Sequence, residues 1–175
     1  MAYTGINSAL GATAGSVAVN NTGTETQLSV GTIPTTFLGV NSAFRIIAEG
    51  LISTKSSTVG TATWRLRIGT TTLTGNIATS VAPTLGVSLS NQPWHINLLV
   101  NVVTGGSNGT VIGNGFVMGM LGASSAILFK GTGTTGTVAI DCTASNLIEL
   151  TFQWGTANSS NNLTCYNAII DNAKI

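Results

Sequence analysis

Thr63-Trp64-Arg65-Leu66-Arg67-Ile68 sets Trp64, Leu66 and Ile68 against Thr63, Arg65 and Arg67. A period of two is the mark of a half-buried strand, because successive side chains of a strand point to opposite faces. The same period recurs where Trp94, Ile96, Leu98, Val100 and Val102 alternate with His95, Asn97, Leu99 and Asn101. It recurs again where Ile148, Leu150, Phe152 and Trp154 alternate with Glu149, Thr151 and Gln153. Further strands are expected over Phe44–Ser53, Thr110–Met118, Ala126–Phe129, Val138–Cys142 and Leu163–Asp171, separated by Gly, Ser, Asn and Thr clusters. That makes about eight strands with no helix between them. Short strands joined by glycine-rich turns indicate an all-β fold, an antiparallel sandwich or barrel rather than a parallel α/β sheet.

The N-terminal text differs. From Met1 to about Val40 there is one charged residue, Glu25, and mostly small side chains, with short strands expected at Ser16–Val19 and Thr26–Val30. The expected organisation is an extended arm over residues 1–40 before a sandwich over residues 41–175. An arm with so little charge is a poor free linker, so it is expected to dock on a neighbour or on its own sheet edge.

Composition narrows the function. The 175 residues are 43% hydrophobic and only 6% charged, against about 25% charged in an average soluble domain. Six Lys or Arg and five Asp or Glu would be spread at about one charge per 700 Å² of a folded monomer's surface. Such a surface is poorly defended against association. A net charge of +1 argues against nucleic acid as a partner, since phosphate contacts need clustered cations. With no Lys or Arg before Arg45, no secretory leader is read, and the longest apolar stretch, Ile96–Val103, is too short for a membrane helix, so no membrane partner is expected.

Catalytic constellations are not found. Gly131-Thr132-Gly133-Thr134-Thr135-Gly136 spells a dinucleotide fingerprint, but a strand follows it where that motif needs a helix N-terminus, so it reads as a turn. His95 is the single histidine and is expected at the surface or in an interface; neither a triad nor a zinc set can be built around it. Asp141 and Glu149 are the nearest approach to a glycosidase pair, with nothing in their spacing to single them out. Asn158–Asn162 lacks the carboxylates of a calcium loop. Cys142 and Cys165 read as small buried hydrophobes, with a disulfide open but unforced. Arg65 and Arg67 are expected to pair with Glu49 across strands, ahead of an acidic patch on a partner. Trp64, Trp94 and Trp154 are expected in the core rather than as a carbohydrate platform. No catalytic, cofactor-binding or metal-ligating residue is assigned.

Three passages together resemble a known module. They are Phe44 to Thr54, Thr61 to Leu73 with Arg65-Leu66-Arg67-Ile68-Gly69 at its centre, and Asn146 to Thr164. The last contains Gln153-Trp154-Gly155-Thr156-Ala157 followed by Asn161 or Asn162 and by Leu163-Thr164, the most specific part. The chain from about residue 38 to 175 resembles the jelly-roll module of tailed-bacteriophage virion structural proteins, found in head decoration or cement proteins, head fibres and tail-fibre or tail-spike tips. The resemblance implies a non-enzymatic homotrimer without cofactors. Because only an arm precedes the module, where many relatives carry a shaft, it implies decoration of the head, with the major capsid protein as partner and the virion surface as location. Receptor binding at a fibre tip, with a host surface glycan as partner, is the alternative. Residues 1 to about 35 are then expected to contact the capsid or to exchange strands between subunits.

Overall fold

The computed structural model describes residues 9–12, 17–55, 60–80, 84–122, 126–131 and 136–172. Twelve strands follow one another: β1 Ala9–Ala12, β2 Val17–Asn20, β3 Thr26–Ile33, β4 Ala43–Ser53, β5 Ala62–Gly69, β6 Asn76–Ser80, β7 Gln92–Thr104, β8 Gly109–Gly119, β9 Ala126–Gly131, β10 Val138–Ile140, β11 Asn146–Trp154 and β12 Asn162–Asn172. A single 3-10 turn, Thr35–Phe37, sits between β3 and β4, and no α-helix occurs among the described residues.

All pairings are antiparallel and form one path, β1–β12–β4–β7–β8–β9–β6–β5–β11–β3, with β2 also on β12 and β10 also on β8. The path folds over on itself. Trp64 of β5 and Trp94 of β7 lie four steps apart along it, yet their ring centroids are 6.1 Å apart. The β1–β12 end of the path also lies beside β3 at the other end, so the sheet is nearly closed. This is the antiparallel all-β sandwich that alternation indicates, jelly-roll-like as the resemblance implies, with its core between the β12–β4–β7–β8 half and the β6–β5–β11–β3 half.

Alternation decides which side chains enter that core. Trp64, Leu66 and Ile68 are buried while Thr63, Arg65 and Arg67 are half-buried on the outer face. Phe44, Ile46, Ala48 and Ile52 of β4, and Trp94, Ile96, Leu98, Val100 and Val102 of β7, join the same cluster. At its centre Phe152 meets Trp64 at 5.0 Å and Trp154 at 4.9 Å, both edge-to-face. Such pairs add about 0.5–1.5 kcal/mol each beyond burial. The Trp154 indole is also tied at its polar end, donating from Nε1 to the Val19 carbonyl at 2.9 Å.

That bond reaches the segment read as an arm. Within it β2 lies along β12, β3 lies along β11, and Val19, Leu28, Ile33 and Leu38 are all buried in the common core. Two strands were not legible as strands, β1 and β6. β6 is Asn76-Ile77-Ala78-Thr79-Ser80, in which Ile77 and Ala78 are both buried and break the alternation. Two adjacent inward residues in a Thr- and Gly-rich stretch give no period to read.

Phe152→Ala removes the ring shared by both edge-to-face pairs and leaves a cavity, so we expect a loss of about 3–5 kcal/mol. Urea denaturation followed by tryptophan fluorescence measures it, as a lowered midpoint with an unchanged slope.

Candidate functional site

The two outer faces differ in chemistry. On the β5–β11 face the polar groups are bound to one another. Arg67 donates from Nε and Nη2 to the two carboxylate oxygens of Glu25, both at 2.7 Å, and Arg65 reaches the same carboxylate at 3.3 Å. Thr151 also donates to Glu25. The partner of the arginines is therefore Glu25, brought across the face by the segment before β3, and not Glu49. Glu49 sits on β4 between β12 and β7, in the other half of the sandwich. Burial opposes ionisation of Glu25, but the hydrogen bonds from Arg67 and Thr151 and the charges of Arg67 and Arg65 outweigh it and hold the carboxyl below its ordinary value.

Glu149 belongs to the same closed surface. It is buried, accepts from the Gln27 side-chain amide, and accepts from the Leu73 N–H at 2.7 Å. Leu73 has φ +58°, a left-handed conformation that a branched side chain adopts at a cost of about 1–2 kcal/mol. Glu149 thus fixes the turn between β5 and β6. Asp141 lies in an unrelated turn, where it accepts from the Thr143 N–H at 2.8 Å and from its hydroxyl at 2.5 Å. The two acids serve separate structural bonds.

The other singled-out residues are equally structural. Trp64, Trp94 and Trp154 are core. Cys142 and Cys165 are unpaired and buried, and burial pushes the Cys165 thiol up to about 11. Asn158 closes its own turn, accepting from the Ser160 N–H at 2.9 Å, and Asn161 ties that turn to the chain just after β4, accepting from the Lys55 N–H at 3.1 Å. Residues 132–135 of the glycine fingerprint lie outside the described residues. Among the described residues no three His, Cys, Asp or Glu side chains gather to hold a metal ion, and no helix is long and apolar enough to cross a membrane.

The β12–β4–β7–β8 face is open. In one row across it, Asn167 of β12, Glu49 of β4, His95 of β7 and Met118 of β8 stand in register. In the next, Ile169, Ile47, Asn97, Phe116 and Leu128 follow one another from β12 to β9. Leu128 is 68% exposed, Met118 44% and Ile169 37%. Where the first row meets the end of the strands, Glu49, Pro93, Trp94, His95, Met118 and Tyr166 line a shallow pocket of about 390 Å³. Its floor is glycine, Gly50 and Gly119.

Tyr166 reaches this pocket because β12 carries a bulge. Cys165 pairs with Gly50 and Asn167 with Glu49, which leaves Tyr166 as the extra residue, 54% exposed. A Cβ at Gly50 would lie 1.8 Å from the Thr164 carbonyl oxygen, so only glycine lets the bulged strand come this close. Sequence reasoning took His95 correctly to the surface but missed Tyr166, Met118 and Gly50. A signal was present: the buried residues of β12 run Leu163 and Cys165, then Ala168 and Ile170, a slip of one in the period.

No protein-family model and no curated protein sequence matches the chain. Among solved structures the chain is similar to the CBM2 module of the evolved Dit protein of Lactobacillus casei BL23 phage J-1, at TM-score 0.37 and 11% identity over 90% of this chain and 75% of that one. It is similar to a polysaccharide lyase family 18 structure, aly-SJ02, at TM-score 0.36 and 8% identity over 93% and 89% of the two chains. A legume lectin-like domain from Entamoeba histolytica is similar at TM-score 0.30 and 10% identity, over 89% and 82%.

Two outcomes follow from these two faces. The depressed Glu25 carboxyl contributes stability that is fully present above its unfolded value, near 4.5, and is lost as pH falls through its folded value. Glu25→Gln is expected to lower stability at neutral pH by about 2–3 kcal/mol and to flatten the acid limb below pH 4.5, read from urea midpoints across pH. Gly50→Ala forces a methyl against the Thr164 carbonyl and is expected to lower stability by about 1–3 kcal/mol in the same assay.

Proposed function

We propose that the chain is a non-enzymatic structural module of a tailed-phage virion, a homotrimeric capsid decoration protein that binds the major capsid protein and stabilises the head shell. The observation that carries this reading is the row Ile169–Ile47–Asn97–Phe116–Leu128, apolar except at Asn97, with Leu99 beside it, on the outside of a chain with eleven charged side chains. Water contact with such a row is unfavourable by roughly 25 cal/mol per Å², and association with a like surface removes it. On one side of the row Arg45 is paired with Asp171 at 2.7 Å. Closed three-fold symmetry buries the patch of each subunit without open-ended growth, and repetition over a lattice multiplies modest contacts. The passages quoted from Phe44 to Thr164 supply the virion context by resemblance.

Receptor binding at a tail or fibre tip is the second reading. It is favoured by the pocket at Tyr166, which a purely shell-binding protein would not need.

Light scattering of the full chain is expected to give a three-subunit mass. Leu128→Lys with Ile169→Lys, both on exposed side chains, is expected to give a folded monomer with an unchanged circular dichroism spectrum and no co-sedimentation with shells. Antibody labelling of virions then separates the two readings, with label over the head for decoration and at the tail end for receptor binding. A wild-type monomer, or virions without label, overturns the proposal.

A further inference from the structure

The five carboxylates of the chain are not equivalent. Glu25 is held by Arg67, Arg65 and Thr151; Glu149 by Gln27 and the Leu73 N–H; Asp141 by Thr143; Asp171 by Arg45. Of these five carboxylates Glu49 alone makes no hydrogen bond to a described residue, and it is exposed. Directly opposite it on β7 stands His95, also without a hydrogen bond to a described residue. Directly opposite His95 on β8 stands Met118. Facing residues on paired strands have Cβ atoms about 4.5–5.5 Å apart, so a carboxylate, an imidazole and a thioether share one small surface.

The bulge adds an aromatic ring to this row. Tyr166 is the inserted residue of β12, and Gly50 beneath it is bare because the Thr164 carbonyl occupies the place of its Cβ. The backbone has therefore been bent at one point, with glycine required opposite, and the result is an exposed phenol beside two unused polar groups. Bulges commonly serve to re-aim a side chain in this way.

We infer that the pocket lined by Tyr166, Glu49, His95 and Met118 binds a neutral pyranose, an inference that deepens the receptor-binding reading and rests on it only for the source of the sugar. Glu49 is the only charged group in the lining, so an anionic ligand meets repulsion. A wholly apolar ligand would strip water from a carboxylate and an imidazole and return nothing. A neutral sugar satisfies both kinds of surface at once. Its hydroxyls donate to the two oxygens of Glu49 and exchange hydrogen bonds with His95, and its C–H face lies on the Tyr166 ring and the Met118 thioether. The volume of about 390 Å³ is at the low end of the usual 300–1,000 Å³ range for ligand pockets, suited to a single ring entering from solvent rather than a buried chain. A site this shallow binds one sugar weakly, and several copies held on one particle raise the avidity by roughly 10²–10⁴.

The test is a titration of the full-length protein, followed by amide NMR shifts, with glucose, galactose, mannose, rhamnose and N-acetylglucosamine in turn, and with sialic acid and tetramethylammonium as charged controls. At least one neutral sugar is expected to shift the amides of Glu49, Gly50, His95, Met118 and Tyr166 and to leave the β5–β11 face unmoved. Tyr166→Ala and Glu49→Gln, both at exposed positions, are each expected to weaken that binding by about tenfold or more while the remaining spectrum stays native. The inference is overturned if no neutral sugar moves these amides, if either variant binds as the wild type does, or if only a charged control binds. It is also overturned if the pocket amides shift with protein concentration alone, since a second copy then fills the pocket. Leu128→Lys with Ile169→Lys is expected to keep the sugar response, so failure of the trimer and failure of the sugar site are read independently.

Discussion

The contact between Trp64 and Trp94 is the constraint on which the rest of the molecule depends. The strands form one continuous antiparallel path whose alternation gives it one apolar face, and a flat sheet would leave that face in water. Folding it so that β5 faces β7 brings every inward side chain onto one cluster and turns every remaining side chain outward. Once Trp94 is set against Trp64, and Trp64 and Trp154 are set edge-to-face against Phe152, the register of β4, β7, β5 and β11 is fixed by period alone, because a slip of one residue would turn each strand inside out. The outer faces are then determined as well, and they are where the chemistry lies.

How each part was legible follows from this. β5, β7 and β11 alternate cleanly in sequence because one of their faces is apolar and the other largely polar, and they appear at the positions that their sequence indicates. β6 was illegible because it buries adjacent residues, and β1 because Ala9-Leu10-Gly11-Ala12 has no polar member to alternate with. Glu149 and Thr151 alternate as wet-face residues should, yet both are buried, since the segment leading into β3 crosses over them. A period reports which way a side chain points, not what the chain later lays on top of it. The same gap explains the arginines. Glu25 is forty residues from Arg65 and belongs to a stretch that reads as an arm, so no local pattern joins them.

That stretch is bound more closely than its composition suggests. Val19 accepts the Trp154 indole proton and is itself buried, Leu28 and Ile33 are core residues, and Glu25 holds both arginines of β5. Removing residues 17–33 would expose the apolar side of β11 and leave two arginines without their carboxylate. The segment therefore acts on the fold first, and any contact that it makes with a shell or a neighbour is made from a docked position.

Scarcity of charge makes its allocation informative. On the β5–β11 face Arg65, Arg67, Glu25 and Glu149 are all consumed by internal bonds, and that face offers a partner little that is not already satisfied. On the β12–β4–β7–β8 face the one internal pair is Arg45 with Asp171, at the far end of the strands from Tyr166. Between that pair and the pocket lies a row of aliphatic and aromatic side chains interrupted by Asn97, and beyond the row stand a carboxylate and an imidazole that make no hydrogen bond to a described residue. A chain with eleven charges could have paired Glu49 as it pairs its other four acids. Instead the bulge at Tyr166 turns an aromatic ring toward it, so this face carries two adjacent surfaces of different chemistry: an apolar row suited to another protein subunit, and a polar-aromatic pocket suited to a small neutral ligand.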